Sequence, residues 1–209
     1  MTSRKLSIIT GVSYLVIFFA AIFANFFMLE ALKQNPLETI LQRNMMVRYG
    51  ILAFMVTALF DVVVAWGLFK LYREHYLTEL STWLRIMHAV IMGIAVFALV
   101  LTLYETTGEN ITYYVDIFEI IWLIGLFFFG GHLILLAKIL PRPKWIALFL
   151  ALAGIMYIVD TWAHFLLPDY DDFAGIFLAL VAIPSIFGEM AFSVWLLAKG
   201  GKSSGTENK

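Results

Sequence analysis

Six apolar runs dominate the chain, each near the ~20 residues that a helix needs to cross a hydrocarbon core. They lie at about Leu6–Leu29, Tyr49–Leu71, Trp83–Tyr104, Asp116–Lys138, Trp145–Leu167 and Ala174–Ala198. Each is apolar on all sides, whereas transmembrane β-strands alternate apolar and polar positions over ~10 residues. The pattern predicts an all-α polytopic membrane protein: one bundle of six transmembrane helices over residues 1–200, then a flexible polar tail at 201–209. Composition agrees, with 62% hydrophobic and 14% charged residues and a mean hydropathy of +0.90.

The first run follows "TSRK" but is longer than a signal-peptide core of about 7–15 residues, and Ile22 stands where cleavage after Ala24 prefers a small side chain. It is expected to be a retained helix. A net charge of −1, with no arginine-rich or aromatic-interleaved segment, argues against a nucleic-acid partner. The chain has no cysteine, which removes disulfides, thiolate ligands and thiol nucleophiles together. No P-loop, GxGxxG or GxSxG motif points to nucleotide or serine-hydrolase chemistry.

Lysine and arginine fall mostly on one side. With the N-terminus inside, the cytoplasmic segments carry Arg4, Lys5, Lys70, Arg73, Arg85, Lys138, Arg142, Lys144, Lys199, Lys202 and Lys209, and the outer ones only Lys33, Arg43 and Arg48. Both termini are therefore expected to be cytoplasmic, and the location a bacterial inner membrane. Trp83, Trp145 and Trp195 read as inner anchors, Trp122 and Trp162 as outer ones. In "NPLETILQRNMMVRYG", Asn35 and Pro36 read as the start of a short interfacial helix over about 36–47, with Leu37, Ile40, Leu41 and Met45 on one side.

The spans are not purely apolar. Asp61, His88, Glu119, His132, Asp160, His164 and Glu189 lie within them, and an Asp at a helix centre costs roughly 2.5–3.5 kcal/mol to insert, so each needs a partner or a wet cavity. From a rise of about 1.5 Å per residue, Asp61 lies near the midplane, Glu189 about 5 Å and His88 and His132 about 8 Å to the cytoplasmic side. One layer thus holds two carboxylates and two imidazoles from four helices, and Asp61 is expected to reach a polar side chain of the third, fourth or sixth span. Ser185, Glu189 and Ser193 form an i, i+4 stripe, which turns Glu189 towards the bundle. Asp160 and His164, nearer the outer side, have the spacing of a structural pair. Gly130 and Gly131 beside His132 point to a close helix approach.

The segments "YGILAFMVTALFDVVVAWGLFKLY", "FGGHLILLAKILPRPKWIALFLALAGIMYIVDTWAHFLLP" and "GEMAFSVWLLAKG" resemble small bacterial membrane proteins of domain-of-unknown-function family 4386. The likeness covers most of the chain from the second span onward. It includes the Pro141–Pro143 turn and the Gly188–Glu189 pair, although two glycines precede His132 where the family commonly has one. It implies the six-helix topology, singles out Asp61, His132, Asp160 and Glu189, and carries no activity with it.

The residues leave several functions open. In the leading one, Asp61, His88, His132 and Glu189 line a cavity that binds or passes a small ligand or protons in contact with membrane lipid. The same four can be read as a zinc or iron site of an intramembrane lipid hydrolase, though no HExxH motif is present. His88 and His132 can be read as axial ligands of a single haem. No cofactor is predicted. In a structural or accessory subunit, every polar residue would serve helix packing.

Overall fold

A computed structural model describes residues 1–141 and 143–201, so Arg142 and nearly all of the 201–209 tail lie outside the described residues. Among the described residues there is no strand. The helices are α1 (Ser3–Gln34), α2 (Pro36–Gln42), α3 (Asn44–Leu71), α4 (Thr78–Thr102), α5 (Gly108–Ile139), α6 (Lys144–Leu166) and α7 (Tyr170–Ala198). All except α2 are long and apolar enough to cross a membrane. Large apolar side chains cover the outside, among them Leu52 and Leu59 on α3, Phe97 on α4 and Leu148 on α6. Outward leucine and phenylalanine at that density suit hydrocarbon, not water.

The six long helices pack in chain order as a ring, and the last part of α7 closes it against α1. Two apolar clusters fill the interior. At the end bearing the termini, Val64, Leu68, Leu133, Leu150, Phe192 and Leu196 pack together from α3, α5, α6 and α7. At the far end, Met28, Leu32, Val47, Phe54, Leu99 and Phe118 come from α1, α3, α4 and α5, with no residue of α6 or α7.

Small residues set the tightest crossings. A Cβ on Gly130 would stand 2.6 Å from the Gly154 carbonyl oxygen, and one on Gly154 2.5 Å from that of Gly130, so α5 and α6 meet backbone to backbone. Gly188 does the same for α7, where a Cβ would lie 3.0 Å from the Leu150 nitrogen.

Two helices are irregular. Ala24–Leu29 of α1 and Ile186–Met190 of α7 are π-helical turns, and the second follows Pro184, which has no N–H to continue the α-helical ladder.

In the fold itself the structure departs from the sequence reading at α2, Trp122 and Arg85. The helix expected over 36–47 stops at Gln42, and Asn44–Met46 already belong to α3. Ile40 and Leu37 turn into the far cluster and Leu41 outward, because Thr39 ties α2 to α1 by donating to the Ala31 carbonyl at 2.9 Å. Trp122 packs on Phe54 and Phe118 inside the bundle. Arg85, read as a cytoplasmic charge, is buried: α4 begins at Thr78, which places Arg85 nearly two turns inside it.

Candidate functional site

The space between the two apolar clusters holds the polar residues. Asp61 reaches it from the middle of α3, with Thr57 one turn away on the same face. Ser81, Arg85 and His88 reach it from α4 at i, i+4 and i+7, His132 from α5 and Tyr14 from α1. All seven side chains are buried.

Arg85 joins them. Its Nη2 donates to Asp61 Oδ1 at 2.5 Å, and its Nη1 to the Tyr14 hydroxyl at 2.9 Å and to His132 Nε2 at 3.2 Å. The guanidinium carbon lies 4.8 Å from the centre of the Tyr14 ring and 5.1 Å from that of Phe129, so the cation is held by π faces as well. Because a guanidinium only donates, His132 must offer a lone pair at Nε2. Its Nδ1–H then donates to the Ser81 carbonyl at 3.0 Å, which assigns a neutral imidazole. Arg85 Nε is buried with no partner among the described residues.

His88 is held differently. Its Nδ1 donates to the Gly125 carbonyl at 2.9 Å, and its Nε2 lies 3.6 Å from Asp61 Oδ2. In the neutral ring a lone pair therefore faces the carboxylate, and a proton added at Nε2 converts that opposition into an ion pair. Gly125 leaves the room, since a Cβ there would sit 3.3 Å from His88 Nδ1.

Glu189 stands apart from this cluster. Ser185 Oγ donates to its Oε1 at 2.5 Å, and the Tyr157 hydroxyl, 3.0 Å from Ser185 Oγ, then donates to the serine. Ser193, the third residue of the expected stripe, donates instead to the Gly11 carbonyl at 3.0 Å and so fastens α7 to α1. No ion pair to Glu189 forms among the described residues.

Asp61, Arg85, His88 and Glu189 all line one cavity of about 480 Å³. It runs along α1 from Tyr14 to Lys33, with Leu126 and Phe129 of α5 and Leu178 and Ile186 of α7 among its walls. His132 lies behind Arg85 and does not line it. At the far end Lys33 Nζ pairs with Glu119 Oε1 at 2.8 Å, linking α1 and α5. The sequence pointed to Asp61, His88, His132 and Glu189 but missed Arg85 and Tyr14.

The donor set does not fit a shared metal. A guanidinium occupies the space between Asp61 and His132, and among the described residues no three His, Asp or Glu side chains are grouped closely enough to hold an ion. Nor does it fit a haem: the Nε2 atoms of His88 and His132 face Asp61 and Arg85, and Phe129 packs on both rings with centroids 4.8 and 5.9 Å away.

Asp160 and His164 do not pair. The Tyr170 hydroxyl donates to Asp160 Oδ1 at 2.7 Å, and His164 packs edge-on to the Tyr170 ring at 4.7 Å, so a residue from the start of α7 stands in the role expected of the histidine.

The family model described as a domain of unknown function, DUF4386, matches residues 9–200. The chain belongs to this family. An uncharacterised protein of Archaeoglobus fulgidus is 27% identical over 162 residues, which span 75% of this chain and 86% of that protein. No solved structure matches. Membership fits the helical membrane architecture, and the family description names no chemistry, so the geometry of the buried polar network carries any functional reading.

Proposed function

We propose that the protein binds a small ligand in the cavity between α1, α3, α4, α5 and α7, with a proton exchanged at the Asp61–His88 contact. One observation carries this reading: a cavity of about 480 Å³, within the size range of small-molecule sites, ends on ionisable side chains in mid-membrane. Asp61 and Arg85 hold each other and set the electrostatics of the cavity's inner end. His88, fixed by Gly125 and facing Asp61, is the group that takes up a proton, and Glu189 is the carboxylate left for a ligand. By the lysine and arginine distribution, the termini face the cytoplasm of a cell with an inner membrane and the Lys33–Glu119 end faces out.

The parent chain, free of cysteine, suits a direct test. Thr57→Cys, on the cavity wall, should react with a small membrane-permeant thiol reagent, while Ala98→Cys, buried in the far half of α4, should not. Native mass spectrometry of protein extracted with its lipids should show a bound small molecule that is lost when Ala21→Trp fills the cavity. An inert Thr57→Cys together with identical ligand-free spectra for parent and Ala21→Trp would refute a binding role.

A further inference from the structure

The cavity has a side wall that the bundle does not close. The far cluster contains no residue of α6 or α7, and α7 packs on α6 from Tyr170 through the Ile186–Met190 turn, making its main contact with α1 only over Ala191–Ala198. The two helices therefore part towards the far end, and cavity-lining residues come from both edges of the gap: Ile22 and Phe26 of α1, Leu178 and Ile186 of α7. Phe26 and Leu178 are also 73% and 68% exposed on the apolar outer surface, so the cavity wall continues into the lipid-facing one. Both edges carry a π turn, Ala24–Leu29 and Ile186–Met190, and the second holds Glu189. Such turns occur frequently at functional sites. The Lys33–Glu119 pair links α1 to α5 at the far end of the same cavity.

The charges select what the gap admits. Arg85 is already matched by Asp61, so the cluster offers an anion no unpaired cation. Glu189 receives only the Ser185 hydroxyl and is the carboxylate in surplus. Tyr14, Phe129 and Tyr157 line the same cavity, and the Tyr157 hydroxyl lies 3.0 Å from the Ser185 hydroxyl that holds Glu189. The rest of the wall is mainly aliphatic and aromatic and suits a hydrocarbon chain.

Resting on the binding role proposed above, we infer that the cavity opens sideways into the bilayer between α1 and α7 and takes up an amphiphilic amine, its ammonium group on Glu189 and its chain along α1 and α5. The amine can be a free alkylamine or the headgroup of an aminophospholipid, since both present the same cation on an apolar body.

The intact protein in phosphatidylcholine nanodiscs provides the test, with empty nanodiscs as background. Radiolabelled dodecylamine should bind saturably, and N-dodecylacetamide and dodecanoate at least tenfold more weakly. Glu189→Gln should lose the preference for the amine and Glu189→Asp should keep it. Should Glu189→Gln fail to fold, the amine-to-amide comparison on the parent chain decides the point alone. Equal binding of the three compounds, or an unchanged preference in folded Glu189→Gln, overturns the inference while leaving a binding cavity in place; no saturable binding of any of them, with Thr57→Cys inert, overturns both. A photoreactive side chain at Ile22 should cross-link to bilayer lipid and lose that adduct when dodecylamine is added, and absence of any lipid adduct overturns sideways entry. Displacement of dodecylamine by phosphatidylethanolamine identifies the headgroup as the source, and failure to displace identifies the free amine.

Discussion

Arg85 on α4 and Asp61 on α3 face each other at 2.5 Å with side-chain exposures of 1% and 4%, and neither is sealed in without the other. An isolated charge at that depth is expensive, while a paired one whose remaining donors reach Tyr14 and His132 is tolerated. The pair ties four helices around one cation, which makes it a constraint on assembly as well as a boundary of the cavity.

Breaking the pair from either side should therefore cost more than removing it whole. Asp61→Asn leaves an unmatched guanidinium, and Arg85→Gln an unmatched carboxylate. Each single change should lower stability in detergent by about 3–5 kcal/mol, and the double change by clearly less than the sum. Arg85→Lys should not rescue, because one ammonium cannot reach Asp61, Tyr14 and His132 in the forked geometry. Additive single effects in a denaturation cycle would show that the two charges are not coupled.

The sequence displayed one half of this relationship plainly. Asp61 stands in an apolar run with no basic residue between Arg48 and Lys70. Arg85 was hidden because it lies near the end of its run, where a basic residue ordinarily reads as an interfacial anchor. Two physical facts separate the readings: α4 starts at Thr78, and an arginine stem is long enough to span the roughly 4.5 Å by which Asp61, ten residues from Leu71, lies deeper than Arg85, seven from Thr78, at about 1.5 Å per residue. The available signal was the i, i+4, i+7 spacing of Ser81, Arg85 and His88, which puts all three on one face. Glu189 was legible from such a spacing with Ser185, and the glycines before His132 from their size. What no single helix could reveal was Tyr170, since its bond to Asp160 depends on how the α6–α7 turn closes.

That turn gives a second coupling. Tyr170→Phe and Asp160→Ala remove the same hydrogen bond, so their combined cost should be smaller than the sum by about 1 kcal/mol. His164→Gln should add independently to Asp160→Ala. A thermal denaturation series in detergent decides, and coupling of Asp160 to His164 in place of Tyr170 would reject the observed geometry.

The glycines divide by what surrounds them. Gly130→Ala places a methyl group 2.6 Å from the Gly154 carbonyl and should destabilise by about 1–3 kcal/mol by forcing α5 from α6. Gly93→Ala meets nothing within 4 Å and should be neutral, or stabilising by up to about 1 kcal/mol through helix propensity. Equal melting temperatures for the two variants would contradict the backbone contact.

Orientation can be read with cysteines in the otherwise cysteine-free chain. Thr107→Cys, at the α4–α5 turn, should label from outside in intact cells, and Glu74→Cys, at the α3–α4 turn, only after permeabilisation. The reverse pattern would invert the assignment of the two ends, and with it the leaflet from which the gap between α1 and α7 is entered.

The last expectation concerns how the ring is locked at its terminal end. Arg4 at the start of α1 donates through Nη1 to the Leu196 and Gly200 carbonyls at 2.9 and 3.0 Å, and through Nη2 to that of Leu197. These include carbonyls of the last turn of α7, which have no N–H ahead of them in the helix and sit at its negative dipole end. One planar guanidinium thus caps α7 and binds it to α1 below the place where the two helices part. Arg4→Ala should free that turn, costing about 1.5–3 kcal/mol for the charged hydrogen bonds lost. The Lys199 and Gly200 amides, which donate to the Trp195 carbonyl at 2.8 and 3.0 Å, should exchange faster by hydrogen–deuterium mass spectrometry. The amides of the α5–α6 contact should keep their rates, because Gly130 and Gly154 hold that crossing independently. Unchanged exchange at 199–200 would mean that Ser193 and the packing of Phe192 and Leu196 hold α7 to α1 without the arginine.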